Sequence, residues 1–244
     1  MHTAAPSFSS VRAIIFDLDG TLIDSKLDLV HSVNATLREL KRPELPEEII
    51  SSYIGNGAPV LVAKSLGPDV PPAELDRALK FFLTHYEAHK MDNTCAYPGV
   101  AEALEHLSAM PMAVLTNKPE RTSVRILEAL GLARYFRAIY GGNTFSTKKP
   151  DPLGVNTILR EFSARPNEAL LIGDSEVDVQ TARNANILSA VVNYGFGIHN
   201  RAAHPADIYL DRLLDIVPAL SATHSQSSPV LDSQVSDPQT SKLG

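Results

Sequence analysis

Two carboxylates two residues apart, Asp17 and Asp19, with Gly20 directly after them, are the first place in this sequence where chemistry could be done. They close the run Val11-Arg12-Ala13-Ile14-Ile15-Phe16, whose apolar, β-branched character predicts a short buried strand ended by a turn. Crowded like charges repel, and a divalent cation that prefers hard oxygen ligands, such as Mg²⁺, would relieve them. Gly20 lets the backbone turn tightly and aim its amides inward, as anion-binding loops do. Taken alone, Asp-Leu-Asp-Gly is equally a plain turn after a strand, because Asp and Gly are common turn formers.

Three other segments place polar residues at the ends of apolar runs or the starts of helices. Thr116 and Asn117 follow Pro111-Met112-Ala113-Val114-Leu115, and each can donate a hydrogen bond to a phosphoryl oxygen. A helix cap accounts for the same pair. Lys148 and Lys149 stand before Pro150-Asp151-Pro152, where Pro152 can open a helix. A lysine there would balance the negative charge of a phosphate ester and an attacking carboxylate; the plain alternative is a solvated surface turn. Finally, Ala169-Leu170-Leu171-Ile172 runs into Gly173-Asp174-Ser175, with Asp178 four residues beyond Asp174. Gly173 permits a close turn, Asp174 lies where it can reach a metal, and Asp178 can cap a helix or contact the lysine.

The rest of the chain must position these groups. After Tyr97-Pro98-Gly99, short apolar strands are expected at 111–115, 138–140, 169–172 and 189–192, with an edge strand at 206–209. They alternate with helices at 99–109, 119–130 (ended by Gly131), 151–163, 176–185 and 211–219, a pattern that predicts a parallel sheet covered on both faces. Residues 23–93 read as all-helical. Asp24-Ser25 can cap a first helix carrying Leu27, Val30, Val33, Leu37 and Leu40 on one side, ending near Arg42-Pro43. A second starts at Pro46-Glu47-Glu48, and further helices are expected at 60–66 and 73–90. Between them, Gly55-Asn56-Gly57 is either a pliable loop with amides for an anion or a plain helix–helix turn. The expected organisation is a core of residues 1–22 and 94–220, a helical insertion at 23–93, and a disordered tail at 221–244. Residues 1–10 read as a loose leader.

Composition sets the class. The 244 residues are 44% hydrophobic and 20% charged, ordinary for a globular protein with a sizeable core. Net charge is -6 with no basic tract, which argues against nucleic acid as a partner and leaves room for a small phosphorylated substrate. The single cysteine, Cys95, allows no internal disulfide and is expected to be a partly buried structural thiol. Neither a signal-peptide pattern nor the roughly 18 consecutive apolar residues of a membrane span is present, so a cytoplasmic location with no membrane partner is expected. The choice between monomer and homodimer stays open.

The string Phe16-Asp17-Leu18-Asp19-Gly20-Thr21-Leu22 resembles the first motif of the haloacid-dehalogenase-like hydrolases. Leu115-Thr116-Asn117-Lys118-Pro119, Lys149-Pro150-Asp151-Pro152 and Gly173-Asp174-Ser175 with Asp178 are similar to the second, third and fourth, in family order. The resemblance spans residues 11 to about 219. It implies an α/β Rossmann-like core with an inserted helical cap, and a Mg²⁺-dependent phosphatase working by two-step phosphoryl transfer. By that resemblance Asp17 is the nucleophile and Asp19 the general acid and base. Lys149, Thr116 and Asn117 hold the phosphoryl group, with Gly20 beside it. The metal is held by Asp17, the Asp19 carbonyl and Asp174, and Ser175 and Asp178 support the site. Lys149 is then the site lysine, and Lys148 is expected to be solvated.

Tyr53-Ile54-Gly55-Asn56-Gly57-Ala58 and Thr116-Asn117-Lys118-Pro119 resemble the phosphoglycolate phosphatase branch of that family, which implies 2-phosphoglycolate as substrate. Gly55, Asn56, Gly57 and Lys118 are the candidates for binding its carboxylate, with Lys64 a weaker one. Three positions depart from the branch pattern: Asn143, Asn186, which tolerates the left-handed conformation, and Phe196. The alternatives are a broad-range sugar-phosphate phosphatase, a phosphoglucomutase-like phosphotransferase, and, from another class, a catalytically silent binding protein. The last fits poorly with the retention of Asp17, Asp19 and Lys149.

Overall fold

Along the first strand, β1 (Ala13–Phe16), side chains alternate between two apolar clusters, Ile14 and Phe16 in one, Ala13 and Ile15 in the other. A strand buried on both faces belongs inside a parallel sheet. In the computed structural model, which describes residues 8–197 and 199–221, β1 does lie near the middle of one. The chain continues through β2 (Ile23–Asp24), α1 (Lys26–Glu39), α2 (Glu47–Ser51), α3 (Ala58–Leu66), α4 (Pro72–His89) and β3 (Cys95–Ala96). Next come α5 (Val100–His106), β4 (Met112–Leu115), α6 (Glu120–Ala129), β5 (Ala138–Tyr140) and α7 (Leu153–Glu161). The last elements are β6 (Ala169–Gly173), α8 (Glu176–Asn184), β7 (Leu188–Val192), β8 (Ile208–Leu210) and α9 (Ile216–Ser221).

Six strands form the sheet in the order β5-β4-β1-β6-β7-β8, every neighbouring pair parallel. Val100 and Leu104 of α5, Ile126 and Leu127 of α6, and Ile216 of α9 cover one face. Val155, Ile158 and Leu159 of α7 and Ala182 of α8 cover the other. This is the α/β Rossmann-like sheet that the alternation of strands and helices predicts. In such sheets ligands bind beyond the carboxyl ends of the strands, and β1, β4 and β6 end side by side.

The four helices α1 to α4 have a separate apolar cluster, with Leu29, Val30, Val33, Leu37, Ile50, Leu61, Val62, Phe82 and Tyr86 buried in it. Three details there differ from the sequence reading. Residues 23–24 form a strand, paired antiparallel with β3, so the chain leaves and re-enters this helical region through a two-stranded ribbon. Two residues are too few to leave a periodic signal. The stripe on α1 runs through Leu29 rather than Leu27, which is 40% exposed. Ser25 makes no capping bond; the first-turn amide of Lys26 donates to Asp24 instead.

Where the chain returns, the buried Asp28 carboxylate accepts bonds from the amides of Asn93 and Thr94, the Asn93 side-chain amide and the Thr94 hydroxyl. It ties the start of α1 to the approach to β3. Cys95 on β3 is exposed, not partly buried, because a two-residue strand in a ribbon has little covering it. At the N-terminus, Phe8–Ser10 make a 3-10 turn with Phe8 packed on the main cluster, so these three residues are not loose. The expected tail at 221–244 lies, apart from Ser221, outside the described residues, as do residues 1–7 of the leader. Among the described residues, no helix is long and apolar enough to cross a membrane.

Candidate active site

Parallel pairing fixes which residues meet. Phe16 sits opposite Val114 and Ile172, so Asp17, Thr116 and Asp174 leave their strands at nearly the same level. All three are at least nine-tenths buried. Asp178, on the first turn of α8, reaches back to the same point, and ligand oxygens of Asp17, Asp174 and Asp178 lie within 4.8 Å of one another. Lys149 Nζ stands 2.8 Å from Asp17 Oδ1 and donates to Asp178 Oδ1 at 2.6 Å. The other Asp178 oxygen accepts from the Ser175 amide and hydroxyl, so Asp178 both caps α8 and holds the lysine.

Three carboxylates facing one buried lysine leave excess negative charge. Burial raises Asp17 to about 6, with Lys149 opposing that rise and Asp178 adding to it. Burial raises Asp174 well above its usual value, and Asp178 and Asp17 push the same way. Burial alone would depress Lys149, but Asp17 and Asp178 hold it above the usual lysine range. A hard divalent cation suits this donor set of carboxylate oxygens and would relieve the charge it concentrates, so the residues fit Mg²⁺. The converging third carboxylate is Asp178 rather than Asp19. The side chain of Asp19 turns elsewhere.

Asp19 accepts a bond from Ser25 Oγ at 2.5 Å and two from Lys118 Nζ, at 2.9 Å and 3.0 Å. Lys118 is itself buried, with its ammonium 4.5 Å from the centre of the Tyr86 ring of α4. Burial opposes its charge, yet Asp19 and Tyr86 keep Lys118 above the usual lysine range. Tyr86 is pushed up to about 12 by burial, so it stays neutral. Neither the pairing of Lys118 with Asp19 nor Tyr86 was visible in the sequence, because each contact joins segments far apart in the chain.

Gly20 serves a different purpose from the one its turn suggested. Its amide donates to Ile23 within the loop and is not free for an anion. What needs glycine is space: its φ is +80°, and a Cβ would come 1.9 Å from Asp174 Oδ2. Gly197 also approaches Asp174, donating its amide to Oδ2 at 2.7 Å. The loop carrying Phe196 thus braces the Asp174 carboxylate through a backbone amide.

A cleft of about 580 Å³, including its open mouth, lies between these strand ends and the helical region. Asp17, Asp19, Thr116, Asn117 and Lys118 form its floor; Leu29, Ile54, Gly55, Gly57, Phe82 and Tyr86 are among the residues over it. Asn117 Nδ2 bridges the carbonyls of Gly55 and Lys149, leaving its buried Oδ1 with no hydrogen-bond partner among the described residues. Thr116 Oγ1 accepts the Lys118 amide, which leaves its proton to donate. Lys148 is half-buried, and its ammonium donates to the Asn56 carbonyl at 2.6 Å. The Gly55-Asn56-Gly57 loop therefore meets the floor through its carbonyls, and Asn56 does not line the cleft. Lys64 is exposed, beside Tyr53. Of the three departures, Asn143 caps α6 through the Glu120 amide and Asn186 takes the left-handed conformation (φ +56°).

The family profile of the haloacid dehalogenase-like hydrolases matches residues 14–192. A phosphoglycolate phosphatase of Pseudomonas syringae pv. syringae is 39% identical over 216 residues, 85% of this chain and 79% of that one. One from Chromobacterium violaceum is 39% identical over 193 residues, 76% of this chain and 86% of its own. Among solved structures, a predicted phosphoglycolate phosphatase from Haemophilus somnus is similar, with a TM-score of 0.79 and 31% identity, covering 85% of this chain and 97% of that one.

Proposed function

The chain belongs to the haloacid dehalogenase-like hydrolases, and on that basis we propose that it is a phosphatase cleaving 2-phosphoglycolate to glycolate and phosphate. The observation that carries the chemistry is the meeting of Asp17, Asp174 and Asp178 around Lys149 at the ends of β1 and β6. The substrate rests on the relatives' activity and on the cleft floor, where Lys118 supplies a cation for a small carboxylate.

Asp17 attacks phosphorus in line, forming an aspartyl-phosphate as the ester P–O bond breaks, and Asp19 gives its proton to the departing glycolate oxygen. Thr116 and Asn117 orient the phosphoryl oxygens, and Lys149 balances their charge. Water then attacks the aspartyl-phosphate, with Asp19 taking the proton. Asp17, Asp174 and the main-chain carbonyl of Asp19 would hold Mg²⁺, with Asp178 beside them, and the ion supplies further neutralisation of the phosphoryl charge. The helices α1 to α4, entered and left through the β2–β3 ribbon, act as the cap that excludes bulk water.

The test is phosphate release with Mg²⁺ from a panel of 2-phosphoglycolate, hexose phosphates and nucleoside monophosphates. A kcat/KM for 2-phosphoglycolate at least about tenfold above every other ester, lost in Asp17→Asn, is the expected result. Comparable rates on hexose phosphates would place the enzyme among broad-range sugar phosphatases.

A further inference from the structure

The cation offered to the substrate carboxylate is already engaged by a catalytic group. Lys118 is 5% exposed and lines the cleft, yet its ammonium is committed to both oxygens of Asp19, the group expected to move a proton. Ser25 takes a further bond on Asp19 Oδ1. A general acid must come within about 2.6–3.2 Å of the oxygen it protonates. In this arrangement Asp19 is held by two groups that are not substrate.

We infer that Lys118 is a positioning residue that restrains Asp19 until a substrate carboxylate takes its place on the ammonium. The inference rests on the 2-phosphoglycolate reading and adds to it a reason for selectivity. A buried ammonium stripped of its one carboxylate partner among the described residues is costly, so Lys118 releases Asp19 only to another anion. Besides Lys118, the described residues lining the cleft offer no cationic side chain. The carboxylate of 2-phosphoglycolate sits two bonds from the ester oxygen that Asp19 must reach, so the anion arrives where the exchange has to happen. Tyr86, with its ring against the ammonium and its hydroxyl neutral, keeps Lys118 in place without competing as an anion. An ester of similar size with a neutral leaving group offers no such partner, and Asp19 stays bound. Binding energy of the correct substrate then completes the acid–base site, which favours that substrate in kcat as well as in KM.

The test compares 2-phosphoglycolate with its neutral amide, 2-phosphoglycolamide, in the wild type and in Lys118→Met. The wild type should turn over the acid with a kcat at least about tenfold above that of the amide. In Lys118→Met the kcat on the amide should rise several-fold while kcat/KM on the acid falls, so the preference collapses. Lys118→Gln, which removes the charge but keeps a polar side chain of similar reach, should shift the amide rate in the same direction; it guards against a methionine variant that does not fold. A normal wild-type preference together with a slower or unchanged amide rate in both variants would overturn the restraint, leaving Lys118 as a carboxylate anchor or a support for Asp19. Equal wild-type rates on acid and amide would instead overturn the 2-phosphoglycolate reading, and the trigger with it.

Discussion

Asp17 and Asp19 are two residues apart, yet their surroundings send them to different tasks. Asp17 is buried among two more carboxylates and one lysine; Asp19 faces a lysine, a serine hydroxyl and the cleft. Replacing Asp19 with Asn should cut kcat by ~10²–10⁴ without raising KM, since it removes proton transfer, leaves the phosphate contacts and frees Lys118 for the substrate carboxylate. The raised carboxyls give a pH prediction with a definite sign. Without metal, Asp17 and Asp174 keep protons in the folded state at pH values where the unfolded chain has lost them. The folded state then binds more protons, so this contribution to stability falls as pH rises from about 4 through about 6. Mg²⁺ requires the deprotonated forms, so the rise in Tm on adding it should be larger at about pH 7.5 than at about pH 5. Asp174→Asn should abolish the effect. Equal Tm shifts at both pH values in the wild type would show that the ion does not bind through these carboxyls.

At the scale of elements, the loops after β1 and β6 are shaped by what glycine leaves open. Gly20→Ala combines a positive φ, worth on the order of 1–3 kcal/mol in strain, with a Cβ driven into Asp174. It should lower Tm and weaken Mg²⁺ binding together, as calorimetry and titration would show. Asp28→Ala removes the acceptor for four donors where the chain returns from α4, and should cost more than about 2 kcal/mol in urea unfolding. If its effect is below 1 kcal/mol on the same order-of-magnitude scale, the tie is not structural. These ties also mark what the sequence could reveal. The sheet strands β1, β4, β5, β6 and β7 were legible because each apolar run is bounded by turns and set off from the next by helical sequence, the edge strand β8 by its apolar run alone, and the chemistry was legible where strand ends carry charged residues. Asp28, Tyr86 and the Lys118–Asp19 pair were not, because their partners lie tens of residues away and no local pattern records such a meeting. The bond from Lys148 to the Asn56 carbonyl is hidden for the same reason, since its acceptor lies in a distant loop.

For the whole molecule, the arrangement is a rigid sheet that fixes the reacting groups and a helical region that closes over them. Asn117 and Lys148 on the sheet side grip the carbonyls of Gly55 and Asn56 on the other, so the residue proposed to orient the phosphoryl group also joins the two regions. Lys148→Met should therefore raise KM several-fold with little change in Tm, because it loosens the cleft and leaves the sheet intact. The claim on which everything else depends is that the phosphoryl group passes through Asp17. The direct test is rapid acid-quench mass spectrometry of the wild-type enzyme during turnover of saturating 2-phosphoglycolate with Mg²⁺, which traps the aspartyl-phosphate present in the steady state. One added phosphoryl group on the peptide carrying Asp17, absent in Asp17→Asn, is the predicted result. No modified peptide, together with phosphate release that survives Asp17→Asn, would contradict the account.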